Sequence, residues 1–130
     1  MMAALLLLAN APATADDIHC DDPMTQLELN ICAGRAFEAA DVEMNAQWKI
    51  TAATMKRADA RLEKGDPRPG YFATLLAGQR AWLAFRGQQC LLESYAMRGG
   101  SAEPMVHSGC TETLTCARTA QLQALTETGN

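Results

Sequence analysis

Few residues in this 130-residue chain have side chains suited to chemistry, and five of them are cysteines: Cys20, Cys32, Cys90, Cys110 and Cys116. Outside the reducing cytosol such a set reads as a disulfide framework, and the odd number leaves one thiol over. Four cysteines allow three pairings. The local bridges Cys20–Cys32 and Cys90–Cys110 are the expected ones, each adding about 3 kcal/mol in the chain-entropy account of loop closure. Cys116 is expected to be a free, buried thiol, with a bridge to Cys110 or to another chain as the alternatives. No Cys-x-x-Cys pair is present, so thiol–disulfide catalysis is not expected.

The remaining reactive types do not assemble into a motif. Glu38 and Asp41 stand three apart, an ordinary helical spacing. His19 and His107 fall in an N-terminal segment and a glycine-rich connector, and no further ligands follow at zinc-site spacing. Ser101 lacks the G-x-S-x-G surround of a nucleophile elbow, and no phosphate-cradling glycine loop occurs. The expectation is therefore no catalytic residue, no metal, no cofactor and no enzyme.

A second group is polar but lies on apolar stripes: Asp41 and Asn45, then Gln79 and Arg86, then Arg118. A charge among apolar residues is costly unless paired. These five are expected to form one structural network, in which Asp41 holds Arg86 or Arg118 through a bidentate fork. The competing expectation is a binding cleft lined by Trp82 and the arginines. Ser101 and Glu103, on a connector tethered by Cys90 and Cys110, are the other candidate partner-binding residues, because loops on a rigid scaffold tend to carry function.

The elements that must position these residues are helical. Gly and Pro cluster at Pro23, at Gly65–Gly70 and across Gly99–Gly109, dividing the chain into three segments. Thr25-Gln26-Leu27-Glu28 fits a capping box, and Leu29, Cys32, Ala36, Ala40, Met44, Trp48, Ala52 and Met55 follow at steps of three and four. This predicts a first helix over about 25–63, near 55 Å long and expected to bend or break near its end. Phe72, Leu75, Gln79, Trp82, Leu83, Arg86 and Cys90 mark a second helix from about residue 71, ending between Tyr95 and Gly99-Gly100. Leu114, Ala117, Arg118, Gln121, Leu122 and Leu125 mark a short third over about 112–126. No segment alternates like a strand. The expected fold is all-α: an antiparallel helical hairpin with a short third helix, stapled by disulfides.

Ala3–Ala9 is an apolar run followed by the triplet Ala13-Thr14-Ala15. That pattern reads as a secretory signal over 1–15, cleaved after Ala15, leaving one domain over 16–130. The run is too short to span a bilayer, which takes about 20 residues. Formal net charge is −4. A net negative charge argues against nucleic acid, which takes a concentrated basic surface, and against anionic lipid.

Cys20, Thr25 to Ala33, Ala40 to Asn45, Gln79 to Arg86, Cys90, Gly99-Gly100-Ser101, Cys110, Leu114-Thr115 and Arg118 to Leu122 together resemble the lysozyme-inhibitor LprI-like N-terminal domain family over about 20–125. The chain departs from the family pattern at Cys116, which is additional, and at Phe37 and Trp48, where tyrosines are usual. The resemblance implies an exported, periplasmic or secreted, non-catalytic protein whose partner is a lysozyme, blocked by the tethered connector. The alternative is a cell-envelope interaction module with another partner.

Overall fold

A computed structural model describes residues 14–128. The leader read over 1–15 falls almost wholly outside the described residues. Three α-helices dominate: α1 (Gln26–Asp59), α2 (Tyr71–Ser94) and α3 (Glu103–Thr128). Short 3-10 turns occupy Ala15–Asp17 and Tyr95–Met97, and no strand occurs among the described residues. The fold is all-α, and no helix is long and apolar enough to cross a membrane among those residues.

The start of α1 follows from its sequence. Thr25 Oγ1 accepts the Glu28 N–H at 3.2 Å, and the Glu28 carboxylate accepts the N–H groups of Met24 and Thr25 at 2.6 and 3.0 Å. These donors, Met24 first, hold the Glu28 carboxyl below its ordinary pKa. The folded state thus binds this proton less readily than the unfolded chain. The cap supports folding above the ordinary glutamate pKa, and its support is lost on acidification.

α1 ends at Asp59, short of the expected residue 63, and Leu62 lies beyond it, exposed. The Asp59 carboxylate explains the stop. It accepts the N–H groups of Tyr71 and Phe72 at 2.6 and 3.1 Å, so the last residue of α1 caps the start of α2. Gly70, at the α2 N-cap, has no side chain to do this, and a Cβ there would lie 2.8 Å from the Asp59 carboxylate.

Cross-links between elements give the directions. Asn30 reaches the Ser101 carbonyl near the starts of α1 and α3, and Thr51 donates to the Leu122 carbonyl near their ends. α1 and α3 are therefore parallel neighbours. α2 runs against both, with Gln79 beside Met44 and Arg118, and Cys90 bonded to Cys110. The apolar core is small: Met44, Ala52, Met55, Leu75 and Leu122, with Trp48, Phe72 and Trp82 packed against it.

Threonines complete the interior. Thr51 and Thr115 are fully buried and Thr111 nearly so. Each hydroxyl donates to a carbonyl one turn back in its own helix, which satisfies the buried polar atom locally. The single Thr51 hydroxyl proton is shared between the Gln47 carbonyl and that of Leu122 across the bundle, at 3.0 and 2.9 Å, which requires the α1 and α3 backbones to lie close.

Two expectations are corrected. The third helix is not short: it has 26 residues and begins at Glu103, nine before the expected 112. Pro104 sits in its first turn, where the missing N–H has no helical partner to lose, and Gly109 is carried within the helix. The Cys90–Cys110 connector is thus largely helical, and Cys110 lies inside α3. The third helix is also rotated from the face Leu114, Ala117 and Leu125 suggested. Its buried residues are Cys110, Thr111, Thr115 and Leu122. Cys116, next to inward Thr115, is accordingly a free and exposed thiol.

The inter-helix cap gives a direct test. Replacing Asp59 by Ala should cost about 1 kcal/mol, as for loss of an N-cap. Urea unfolding checks this; an unchanged midpoint would show the contact to be energetically idle.

Candidate functional site

The polar residues singled out from the sequence come together at mid-bundle around Trp82. Arg86 Nη1 donates to Asp41 Oδ1 on α1 and to Thr115 Oγ1 on α3, both at 2.9 Å. Its guanidinium lies 5.2 Å from the Phe37 ring centre and 5.0 Å from that of Trp82. Asn45 donates to the other Asp41 oxygen at 3.3 Å. Arg118 is held separately: Nε donates to Gln79 Oε1 at 2.9 Å and Nη1 to Gln121 Oε1 at 3.1 Å. It also lies 5.9 Å from Trp82. Asp41 thus holds Arg86 through Nη1 alone and not through the expected bidentate fork, because the same nitrogen also reaches Thr115. Arg118 forms a second group with neutral acceptors instead of joining one network, and partial burial pulls its pKa down.

This cluster joins all three helices at mid-bundle. Among the described residues, no three His, Cys, Asp or Glu side chains gather as a metal site. Trp82 is half-buried against the core.

A different site forms at one end of the bundle. Cys20–Cys32 ties the N-terminal segment to α1, and Cys90–Cys110 ties α2 to α3 at the same end. Between Met97 and Glu103 the chain reverses in a tight turn. Gly99 takes a φ of +77°, favoured only by glycine. Its N–H donates to Glu103 Oε2 at 2.9 Å. Glu103 therefore fastens the turn from within. Ser101 is exposed at the tip, and its carbonyl accepts from Asn30 Nδ2 at 2.9 Å. A depression beside the turn, lined by residues including Leu91, Gly99, Pro104 and His107, does not include Trp82. Ser101 and Glu103 thus share a site and Trp82 does not.

The charges are divided along the same axis. Residues 16–43 carry eight carboxylates against one cation, Arg35. Residues 49–68 carry six cations against three carboxylates. Arg35 is further occupied by the carbonyl of Ile18. With α1 about 51 Å long, the disulfide-bearing end is acidic and the far end basic. Exposed Met24, Leu27, Leu92 and Met97 add apolar surface at the acidic end. Its sequence signal was present in the run of carboxylates, but only the parallel packing of α1 and α3 sets it beside the turn. Asn30 and Asp59 were missed, since a lone Asn or Asp announces no partner.

Fold and site define a disulfide-stapled three-helix domain with a polar joint at its centre and a pinned acidic end. The family model "Lysozyme inhibitor LprI" matches residues 20–122, and the chain belongs to that family. An uncharacterised protein of Rhizobium meliloti (strain 1021) is 42% identical over 129 residues, 95% of this chain and 91% of the relative. No solved structure matches the chain.

Replacing Arg86 by Met keeps apolar bulk but leaves Asp41 half-buried and unpaired. It should cost about 2 kcal/mol, less than a fully buried pair because both side chains touch solvent. Arg86→Lys should recover little of this, having neither the planar fork nor its stacking. Denaturant melts of the two variants decide it; full rescue by Lys would show that charge alone matters.

Proposed function

We propose that this is an exported, non-catalytic inhibitor of a lysozyme, acting in the periplasm or outside the cell, with residues 1–15 as its cleaved leader. The observation that carries the reading is the gathering of both disulfides, the Gly99–Ala102 turn and the carboxylate-rich segment at one end. A glycoside hydrolase of this kind works through two carboxyl groups in a cleft. What enters that cleft must not bring a carboxylate of its own. Ser101 and the turn backbone meet this requirement, because the Glu103 carboxylate is already engaged by Gly99. Flanking Asp21 and Asp22, both exposed, then face the basic surface around the cleft and speed encounter, an effect that salt weakens. The Cys90–Cys110 bridge and the contacts of Glu103 and Asn30 hold the turn in place beforehand, so little ordering cost falls on binding.

Titration of the oxidised protein into a lysozyme clearing a cell-wall suspension tests this. Inhibition is expected at micromolar protein and should weaken with salt. Ser101→Glu sets a carboxylate against the two in the cleft and should weaken inhibition at least about tenfold, while exposed Ser101 leaves the thermal midpoint unchanged. Absence of inhibition across several lysozyme classes overturns the proposal in favour of an envelope module with another partner.

A further inference from the structure

The far, basic end of the bundle carries a feature that the inhibitor reading does not use. A groove of about 600 Å³ opens between the end of α1, the start of α2 and the later turns of α3. Met55, Leu62, Tyr71, Leu75 and Leu125 form its apolar walls, and Arg118 lies along it. This volume falls within the ordinary range of small-molecule sites, about 300–1,000 Å³.

Arg118 gives the groove its chemistry. It is partly buried, and its partners Gln79 and Gln121 are neutral amides. The ion pairs among the described residues are Arg86–Asp41 and Arg68–Asp66, so no carboxylate there neutralises it. Its Nη2 makes no hydrogen bond to a described residue, although Nε and Nη1 are both fixed. Asp66 lines the groove too, but both its oxygens are occupied by Arg68. Lys56, Arg57, Arg61 and Lys64 add positive charge to this end. A partly desolvated, oriented cation beside apolar walls suits an acceptor that brings its own hydrocarbon.

We infer that the groove binds an amphipathic carboxylate, its apolar chain lying along Met55, Leu62, Leu75 and Leu125 and its head on the free edge of Arg118. Gly78 gives a clean means of blocking it. Gly78 lines the groove on α2, and a Cβ built there meets nothing within 4 Å. Gly78→Leu therefore fills the groove while raising helix propensity. Arg118→Gln removes the charge and keeps a polar side chain.

Calorimetric titration with decanoate below its micelle concentration, and with decanol as the uncharged counterpart, tests the inference. The intact protein should bind decanoate roughly tenfold more tightly than decanol, the worth of one charge-assisted hydrogen bond. Arg118→Gln should erase that preference, and Gly78→Leu should weaken both ligands at least tenfold. Thermal melts confirm that both variants are folded. Equal affinity of the intact protein for acid and alcohol, no binding of either, or undiminished binding by Gly78→Leu overturns it. So does a concentration-dependent dimer, seen by sedimentation, that Gly78→Leu abolishes, since a second copy then occupies the groove.

Discussion

One guanidinium touches all three helices. Arg86 stands on α2, pairs with Asp41 on α1, donates to Thr115 on α3 and lies against the rings of Phe37 and Trp82. In a bundle whose apolar core is a handful of side chains, such a joint specifies more than it stabilises. Apolar side chains of similar volume could slide past one another by a turn, but an arginine nitrogen held between a carboxylate on one helix and a hydroxyl on another fits one register. Everything placed at the ends of the helices inherits that register. The acidic turn at one end and the apolar groove at the other both depend on it.

The interior also shows how a small domain manages with little hydrophobic volume. Much of what a core normally supplies comes from threonine. Thr51, Thr111 and Thr115 satisfy their own hydroxyls and bury as compact branched groups, which lets α1 and α3 lie close in parallel. Parallel packing of the first and third helices has a functional result. It brings the carboxylate-rich start of α1 beside the start of α3, and so beside the turn that Cys90–Cys110 pins. The two ends of the molecule become chemically unlike: one acidic and disulfide-bearing, the other basic and grooved.

Much of this was legible in the residues. The Thr25–Glu28 cap fixed the start of α1 and apolar periodicity located α1 and α2, whereas the polar residues on those stripes, expected as one network, fall into two groups, Asp41–Asn45–Arg86 and Gln79–Arg118. The start of α3 was not legible, because Pro104 and Gly109 were read as breaks although a proline in a first turn costs a helix nothing. The inward face of α3 was misjudged because its buried positions are threonines, which a hydrophobic pattern passes over. Burial of Cys116 was wrong for the same reason. The capping of α2 by Asp59 depends on a long-range approach that no local spacing encodes. The groove is the furthest from sequence, since three separate segments build it.

The two bridges differ in what surrounds them. Cys90 is sealed from solvent and Cys110 nearly so, whereas Cys20 is exposed and its partner only half-covered. Thiol attack needs access to a sulfur. A mild reductant should therefore open the outer strap first and release the N-terminal tail, while the seam between α2 and α3 stays shut until the helices themselves part. Thiols that become accessible beyond Cys116, which is exposed throughout, are then a sign of a loosened tail on an otherwise folded body.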